Sequence, residues 1–243
     1  IALAAAGALS EDDGFTVVNT MGTLMQEQLI GGQLVYPFAN ADWQNDPARK
    51  AGLLAQVAEI DARAGHDLAL SIDLGGMLVL AGNEAGLASF EAAVPVMDER
   101  FPMRLANHAA FHTSLQAPVA AEGRKRLGAQ MFTQPKIPLI DGRGHVWWPG
   151  ATDRQALWDY TLGHQVVEAY DFTRAVQNAA LEFAPDLFIV TGPGTTLGGA
   201  VAQSLVHTGW QGMTGKAAFK KRQAETPLLI SMGDDAQRTL VTG

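Results

Sequence analysis

The residues of this chain best suited to chemistry lie in Ala109-Ala110-Phe111-His112-Thr113-Ser114-Leu115. A histidine followed by two hydroxyl residues at a loop-to-helix junction reads as a positioned general base, because imidazole is the side chain whose ordinary pKa lies nearest neutrality. A single histidine is also commonly a hydrogen-bonded structural residue, so its meaning depends on what the rest of the chain can bring to it. His108 stands four residues earlier, which is ligand spacing on a helix. Ala109-Ala110-Phe111 reads as loop, however, and no third ligand of matching type is near in sequence, so zinc is not expected. Gln165, in His164-Gln165-Val166-Val167-Glu168-Ala169-Tyr170-Asp171-Phe172, falls between two helices and reads either as a polar loop residue or as the group that holds a base in one tautomer.

Other groups are excluded by composition. The 243 residues contain no cysteine, which removes disulfides, thiolate nucleophiles and cysteine-based metal sites together and fits a reducing cytoplasm. A formal net charge of -8 with 17% charged residues leaves no electrostatic footprint for general nucleic-acid binding. Basic residues do gather at Arg124, Lys125 and Arg126 and again at Lys216, Lys220, Lys221 and Arg222. Each group reads equally well as a steering patch for an acidic partner or as a solvated face. The apolar opening, Ile1 to Leu9, is too short to cross a bilayer and lacks the charged flank of a signal peptide. It also has no capping residue, so residue 1 reads as the interior of a helix and the chain as a fragment.

The elements that must position these residues follow from pattern. Ser10 caps a helix running through Met21 to about Gln28, with Asp13 in the box position. Residues 33–38 read as a strand, which Pro37 would place at an edge or shorten, and residues 47–64 as a helix. Asp67 to Asp73 alternates with period two and returns through Gly75-Gly76 into Met77 to Ala81 as a hairpin. A helix from Asn83 to about Met97 and a strand at Phe101 to Leu105 complete a β-α-β-β-α-β, ferredoxin-like order over residues 33–106. Beyond it the texture is α/β: a helix after His112, a strand at Ile137 to Asp141, helices at 153–163 and 171–183, and a strand from Asp186 to Thr191. That strand enters Gly192-Pro193-Gly194-Thr195-Thr196-Leu197-Gly198-Gly199 before another helix. Leu197 stands where a dinucleotide fingerprint needs its third glycine, so the segment reads as a tight strand-to-helix turn or an anion-facing loop.

Five segments, in order, resemble the malonyl-CoA:acyl-carrier-protein transacylase family: Ala5 to Ser10, Gly22 to Gln26, Ala109 to Leu115, Gln165 to Phe172 and Phe188 to Gly199. The resemblance implies an α/β-hydrolase-like transacylase large domain, residues 1–32 and 107–243 with its N-terminal part missing, carrying a ferredoxin-like insert at 33–106. It implies transfer of an acyl group from acyl-CoA to the phosphopantetheine thiol of acyl carrier protein, in fatty-acid or polyketide synthesis, through an acyl-serine. His112 matches the base, Gln165 matches the position that orients it, and basic residues near Lys216 to Arg222 are candidates to meet the carrier. No metal or redox cofactor is implied, coenzyme A entering as substrate, and neither nucleic acid nor membrane is an expected partner.

Two departures shape the expectation. The family's G-H-S-x-G elbow would lie just upstream of Ile1. Within the chain, Ser10, Ser71, Ser89, Ser114, Ser204 and Ser231 offer no G-x-S-x-G; Leu229-Ile230-Ser231-Met232-Gly233 comes nearest but lacks the first glycine. The family's malonyl-specific members carry an arginine directly before the glycine that is Gly22, whereas this chain has Met21. A thioether cannot compensate a carboxylate for its lost water, so a neutral acyl group is expected unless another cation substitutes. Thioester hydrolysis on the same scaffold, or a noncatalytic binding module, are the competing expectations.

Overall fold

The computed structural model describes residues 1–192 and 194–242; Pro193, within the glycine-rich turn singled out above, lies outside the described residues. The chain begins with a single helical turn, α1 (Ala2–Ala5), then α2 (Glu11–Gln28). The apolar opening was expected to be helical throughout. It stops because Gly7 turns left-handed at φ +72, where a Cβ would press on the Lys136 side chain. Ser10 caps α2 as expected: its Oγ accepts from the Asp13 N–H at 3.0 Å and donates to the Asp13 carboxylate at 2.7 Å.

Next come β1 (Gly32–Pro37), α3 (Pro47–Asp61), β2 (Leu68–Leu74), β3 (Met77–Gly82), α4 (Glu84–Ala93) and β4 (Met103–Leu105). The strands lie in the order β4-β1-β3-β2, with a fifth strand, β7 (Tyr170–Asp171), added parallel to β2. That fifth strand was not expected, and it ties residue 170 to a sheet built otherwise from residues 32–105. β1 is an interior strand and not an edge, and it ends at Pro37, one residue short of Phe38, which is the shortening that Pro37 also suggested. The proline is tolerated because β4 pairs only with residues 33–35, so Pro37 projects beyond it and has a sheet neighbour on one side alone. Helix α4 ends at Ala93, four residues before Met97, since Val94 is extended before Pro95.

The apolar face of this sheet packs Leu34, Tyr36, Leu78 and Leu80 against Leu53, Val57 and Ile60 of α3 and Leu87 and Phe90 of α4. Tyr36 meets Phe90 edge-on at 5.7 Å between centroids and donates its hydroxyl to the Pro95 carbonyl at 2.8 Å.

After His112 a 3-10 turn (Ser114–Gln116) leads into α5 (Ala117–Arg126). The two short strands β5 (Leu139–Ile140) and β6 (Val146–Trp147) form a separate hairpin. Then α6 (Arg154–Asp159), a π turn at Tyr160–His164 and α7 (Gln165–Val167) follow without a break and precede β7. A second core joins α2, α5 and this bent helix through Met21, Leu24, Val119, Phe132, Leu157 and Tyr160. The remaining elements are α8 (Phe172–Phe183), β8 (Phe188–Val190), α9 (Leu197–His207), α10 (Lys216–Glu225), β9 (Leu229–Ser231) and α11 (Asp235–Thr242). Here β8 and β9 pair in parallel, and Val176, Leu205, Phe219 and Leu228 form a third core. Among the described residues no helix is long and apolar enough to cross a membrane.

Leu80 is fully buried in the first core. Its replacement by alanine is expected to cost about 2–5 kcal/mol in urea denaturation, the range for a leucine cavity in a packed core. A loss below about 1 kcal/mol would contradict this packing.

Candidate active site

His112 sits on a loop whose backbone is fixed by three hydrogen bonds. The Ala110 N–H donates to the Ile30 carbonyl at 2.7 Å, and Gly31 at φ +68 allows this approach, since a Cβ there would lie 2.8 Å from that of Ala110. Thr113 Oγ1 donates to the Ala110 carbonyl at 2.7 Å, and Ser71 Oγ donates to the Phe111 carbonyl at 2.7 Å. Ser71 can do so because the β2–β3 register shifts between Leu70 and Ile72, a bulge that frees Ser71 from pairing. Gln33 Nε2 in turn donates to Ser71 Oγ at 2.7 Å, while Gln33 Oε1 takes the Nδ1 hydrogen of His108 at 2.7 Å. His108 is thus a partner of Gln33, and among the described residues no cluster of three His, Asp or Glu side chains could hold a metal.

These contacts hold His112 at φ +57, a left-handed conformation uncommon for any residue with a side chain and typical of sites where surrounding structure over-determines the backbone. From there the ring meets the end of the bent helix: Nδ1 lies 2.5 Å from the backbone oxygen of Gln165. A carbonyl can only accept, so Nδ1 carries the hydrogen and Nε2 keeps its lone pair. Gln165 therefore meets the His112 ring, and it does so through its backbone rather than its amide side chain. The carbonyl is available because α7 stops at Val167 and Glu168 turns extended, leaving it among the unsatisfied oxygens of a helix C-terminus. Tyr170 packs its ring against His112 at 5.7 Å. Gly142 makes room for that ring, since a Cβ at 142 would come within 2.4 Å of it.

The His112 pKa is lowered, chiefly by burial, with the Gln165 carbonyl pulling the other way. Between the folded value and the ordinary 6.5 the unfolded chain binds a proton that the folded chain does not. The contribution of this group to stability is therefore full above 6.5 and is lost as pH falls toward the folded value. At neutral pH the imidazole is uncharged and basic at Nε2.

Beside His112 lies a cavity of about 350 Å³ lined by Val17, Val18, Met21 and Met25 of α2, by Phe111, and by Thr161, Leu162, Gln165 and Val166 of the bent helix. Met21 thus reaches the same cavity as His112 and Gln165. Its sulfur packs against Gly123 of α5, where a Cβ would come within 2.4 Å of it. Among the described residues no lysine or arginine lines the space. The nearby Arg124 is turned away, paired with Asp159 and stacked at 4.3 Å on Trp158. A second lobe of about 270 Å³ shares Val17, Thr161 and Gln165 with the first and is walled by Tyr160, Tyr170 and the opening residues Ile1, Ala2 and Leu3.

The other candidates lie elsewhere. Ser231 is buried in β9, its N–H held by Gln237 Oε1 at 2.9 Å, and Asp234 opens the next helical turn, so it forms no elbow. Arg126 and Lys125 are paired with Glu122. Lys220 and Lys221 are exposed on α10, whereas Lys216 lies 5.3 Å above the Trp43 ring. Reading the sequence missed the Ser71 bulge, the Gln33 relay and the Tyr170 ring. A lone serine within an apolar strand was the available signal for the first, and nothing local announced the others.

Because a backbone oxygen orients the ring, Gln165→Ala is expected to leave the His112 titration midpoint, followed by proton NMR, below 6.5 as in the unaltered protein. A midpoint that rises to the free-imidazole value in this variant would show that the amide side chain is required.

No protein-family model matches the chain. It is 27% identical over 194 residues to polyketide synthase GfsB of Streptomyces halstedii, covering 79% of this chain and 3% of that protein. Among solved structures it is similar to a malonyl-CoA:acyl carrier protein transacylase from Xanthomonas oryzae pv. oryzae, with TM-score 0.68, 22% identity, and 98% of this chain against 66% of that one. An acyl carrier protein S-malonyltransferase from Vibrio cholerae superposes with TM-score 0.71 at 19% identity, covering 99% and 68% respectively. The acyltransferase domain of the second module of the salinomycin polyketide synthase gives 0.64 at 22% identity, covering 94% and 45%. The chain spans 66% of the first of these structures and a small part of the curated synthase. What these likenesses establish is the architecture: the chain has the mixed α/β fold of malonyl-CoA:acyl carrier protein transacylases and polyketide synthase acyltransferase domains.

Proposed function

We propose that this chain belongs to an acyltransferase that moves an acyl group from acyl-CoA to the phosphopantetheine thiol of acyl carrier protein, in fatty-acid or polyketide synthesis. The observation that carries this reading is the His112 Nδ1 contact to the Gln165 carbonyl, which leaves Nε2 free as a base beside an apolar cavity on an acyltransferase fold. In this reading a serine upstream of Ile1 is the nucleophile. Support comes from Ile1, Ala2 and Leu3, which line the lobe that shares Gln165 with the His112 cavity.

His112 Nε2 takes the serine proton as the oxygen attacks the thioester carbonyl; the C–S bond breaks, and the imidazolium returns the proton to the departing CoA sulfur. The carrier thiol then gives its proton to His112, attacks the acyl-serine, and the serine oxygen recovers the proton. Residues 33–106 act as an inserted unit whose Ser71 and Gln33 hold the His112 loop, and the remainder forms the transacylase domain. CoA is consumed as substrate, and no metal or redox group takes part in these steps. Exposed basic residues on α10, Lys220 and Lys221, are the proposed contacts to an acidic carrier. The acyl group is neutral, because among the described residues no lysine or arginine lines the cavity that Met21 occupies and an unpaired carboxylate there would lose its water without compensation.

In the intact protein, His112→Ala is expected to lower acyl transfer by about two orders of magnitude or more through loss of the base. A variant with unchanged rate would remove His112 from the mechanism. Acyl-enzyme formation should also favour acetyl-CoA over malonyl-CoA; a strong malonyl preference would place a carboxylate clamp elsewhere. Recovery of acyl carrier protein thioester, rather than free acid, separates transfer from hydrolysis.

A further inference from the structure

We propose that the acyl group accepted here is an unbranched, neutral chain of roughly six to ten carbons, laid along one face of α2. The inference rests on the acyl-transfer reading above and gives its substrate class a size. Val17, Met21 and Met25 recur at intervals of four, so they form one stripe on α2, and all three line the His112 cavity. Eight residues of helix rise about 12 Å from the first to the last. Successive carbons of an extended chain, bonded at about 1.5 Å with tetrahedral angles, advance about 1.25 Å each. A two- or three-carbon acyl group would occupy one end of this space and leave the rest of the 350 Å³ unfilled.

The walls suit a flexible hydrocarbon and little else. Leu162 and Val166 face the stripe from the bent helix, and Phe111 adds an aromatic wall. Two methionines, unbranched and adaptable, can follow a chain of variable shape. The polar lining is limited to His112, whose Nδ1 is engaged by a backbone oxygen, to Thr161, whose hydroxyl is committed to the Leu157 carbonyl at 2.7 Å, and to Gln165. Among the described residues the stripe itself, Val17, Met21 and Met25, offers no donor or acceptor to a terminal carboxylate or hydroxyl, and the Gln165 amide on the facing wall carries no charge. Val17, shared with the second lobe, marks the end nearest that lobe, and Met25 marks the other.

The test is a series of straight-chain acyl-CoA thioesters from acetyl to dodecanoyl, with the intact protein and its carrier, scored by kcat/KM for transfer and by calorimetric binding. Transfer is expected to rise about fourfold per methylene, the gain from burying one such group, to peak between hexanoyl and decanoyl, and then to fall. Met25→Trp should move the peak toward shorter chains. A peak at acetyl, propionyl or malonyl would overturn this inference while leaving acyl transfer intact. Tighter binding of octanoyl-CoA than acetyl-CoA without transfer from any thioester would instead overturn the acyl-transfer reading and leave the stripe standing as an acyl-chain site. Equal binding of all chain lengths would overturn the inference, whether or not the tryptophan variant folds.

Discussion

The contact between the His112 ring and the Gln165 carbonyl is the constraint on which the site depends. A helix that ends at Val167 leaves a backbone oxygen without its usual N–H partner, and a loop arriving from the sheet supplies one from a side chain. Both partners gain: the carbonyl is satisfied away from water, and the imidazole is held in a single tautomer and orientation. The loop could not deliver the ring without the left-handed turn at His112, and that turn persists because Ser71, Ile30 and Thr113 fix the peptides before it. The Gln33 and Ser71 side chains are almost wholly buried and satisfy each other, so the network costs little while excluding other loop conformations. Placing Tyr170 on β7, beside β2, closes the arrangement by tying the region after the bent helix to the same sheet.

Electrostatics around the ring reinforce this geometry. Burial favours neutral imidazole, and among the described residues no lysine, arginine or carboxylate lines the cavity beside it. Arg124, the cation close to the π turn, is neutralised by Asp159 and stacked on Trp158, so its field is spent outside the cavity. The lowered pKa of His112 and the apolar character of the cavity beside it thus share one setting, the burial of the ring against the α2 face that carries Met21.

Much of this was legible in the sequence, and the parts that were not have physical reasons. His112, Gln165 and Met21 were each singled out from residue type and ordered segments, and the structure brings all three to one cavity. The mode of contact was hidden, because a backbone carbonyl has no residue-type signature; only the helix end at Val167 exposes it. Ser71 sits in a strand whose alternation looked regular, and the bulge that turns it toward Phe111 is a property of pairing, not of local pattern. Pro37 pointed to an edge strand and β1 is interior, because the strand order depends on long-range pairing and β4 is too short to reach the proline. The pairing of Tyr170 with Ile72 joins residues far apart in sequence, and a two-residue strand leaves no periodicity to read.

The most direct measurement is a long-range proton–nitrogen correlation spectrum of the His112 imidazole at neutral pH. The expected spectrum shows a neutral ring protonated at Nδ1, with Nε2 carrying the shift of a bare acceptor nitrogen. A ring protonated at Nε2, or charged at neutral pH, would contradict the assignment of His112 as a base oriented by the Gln165 carbonyl.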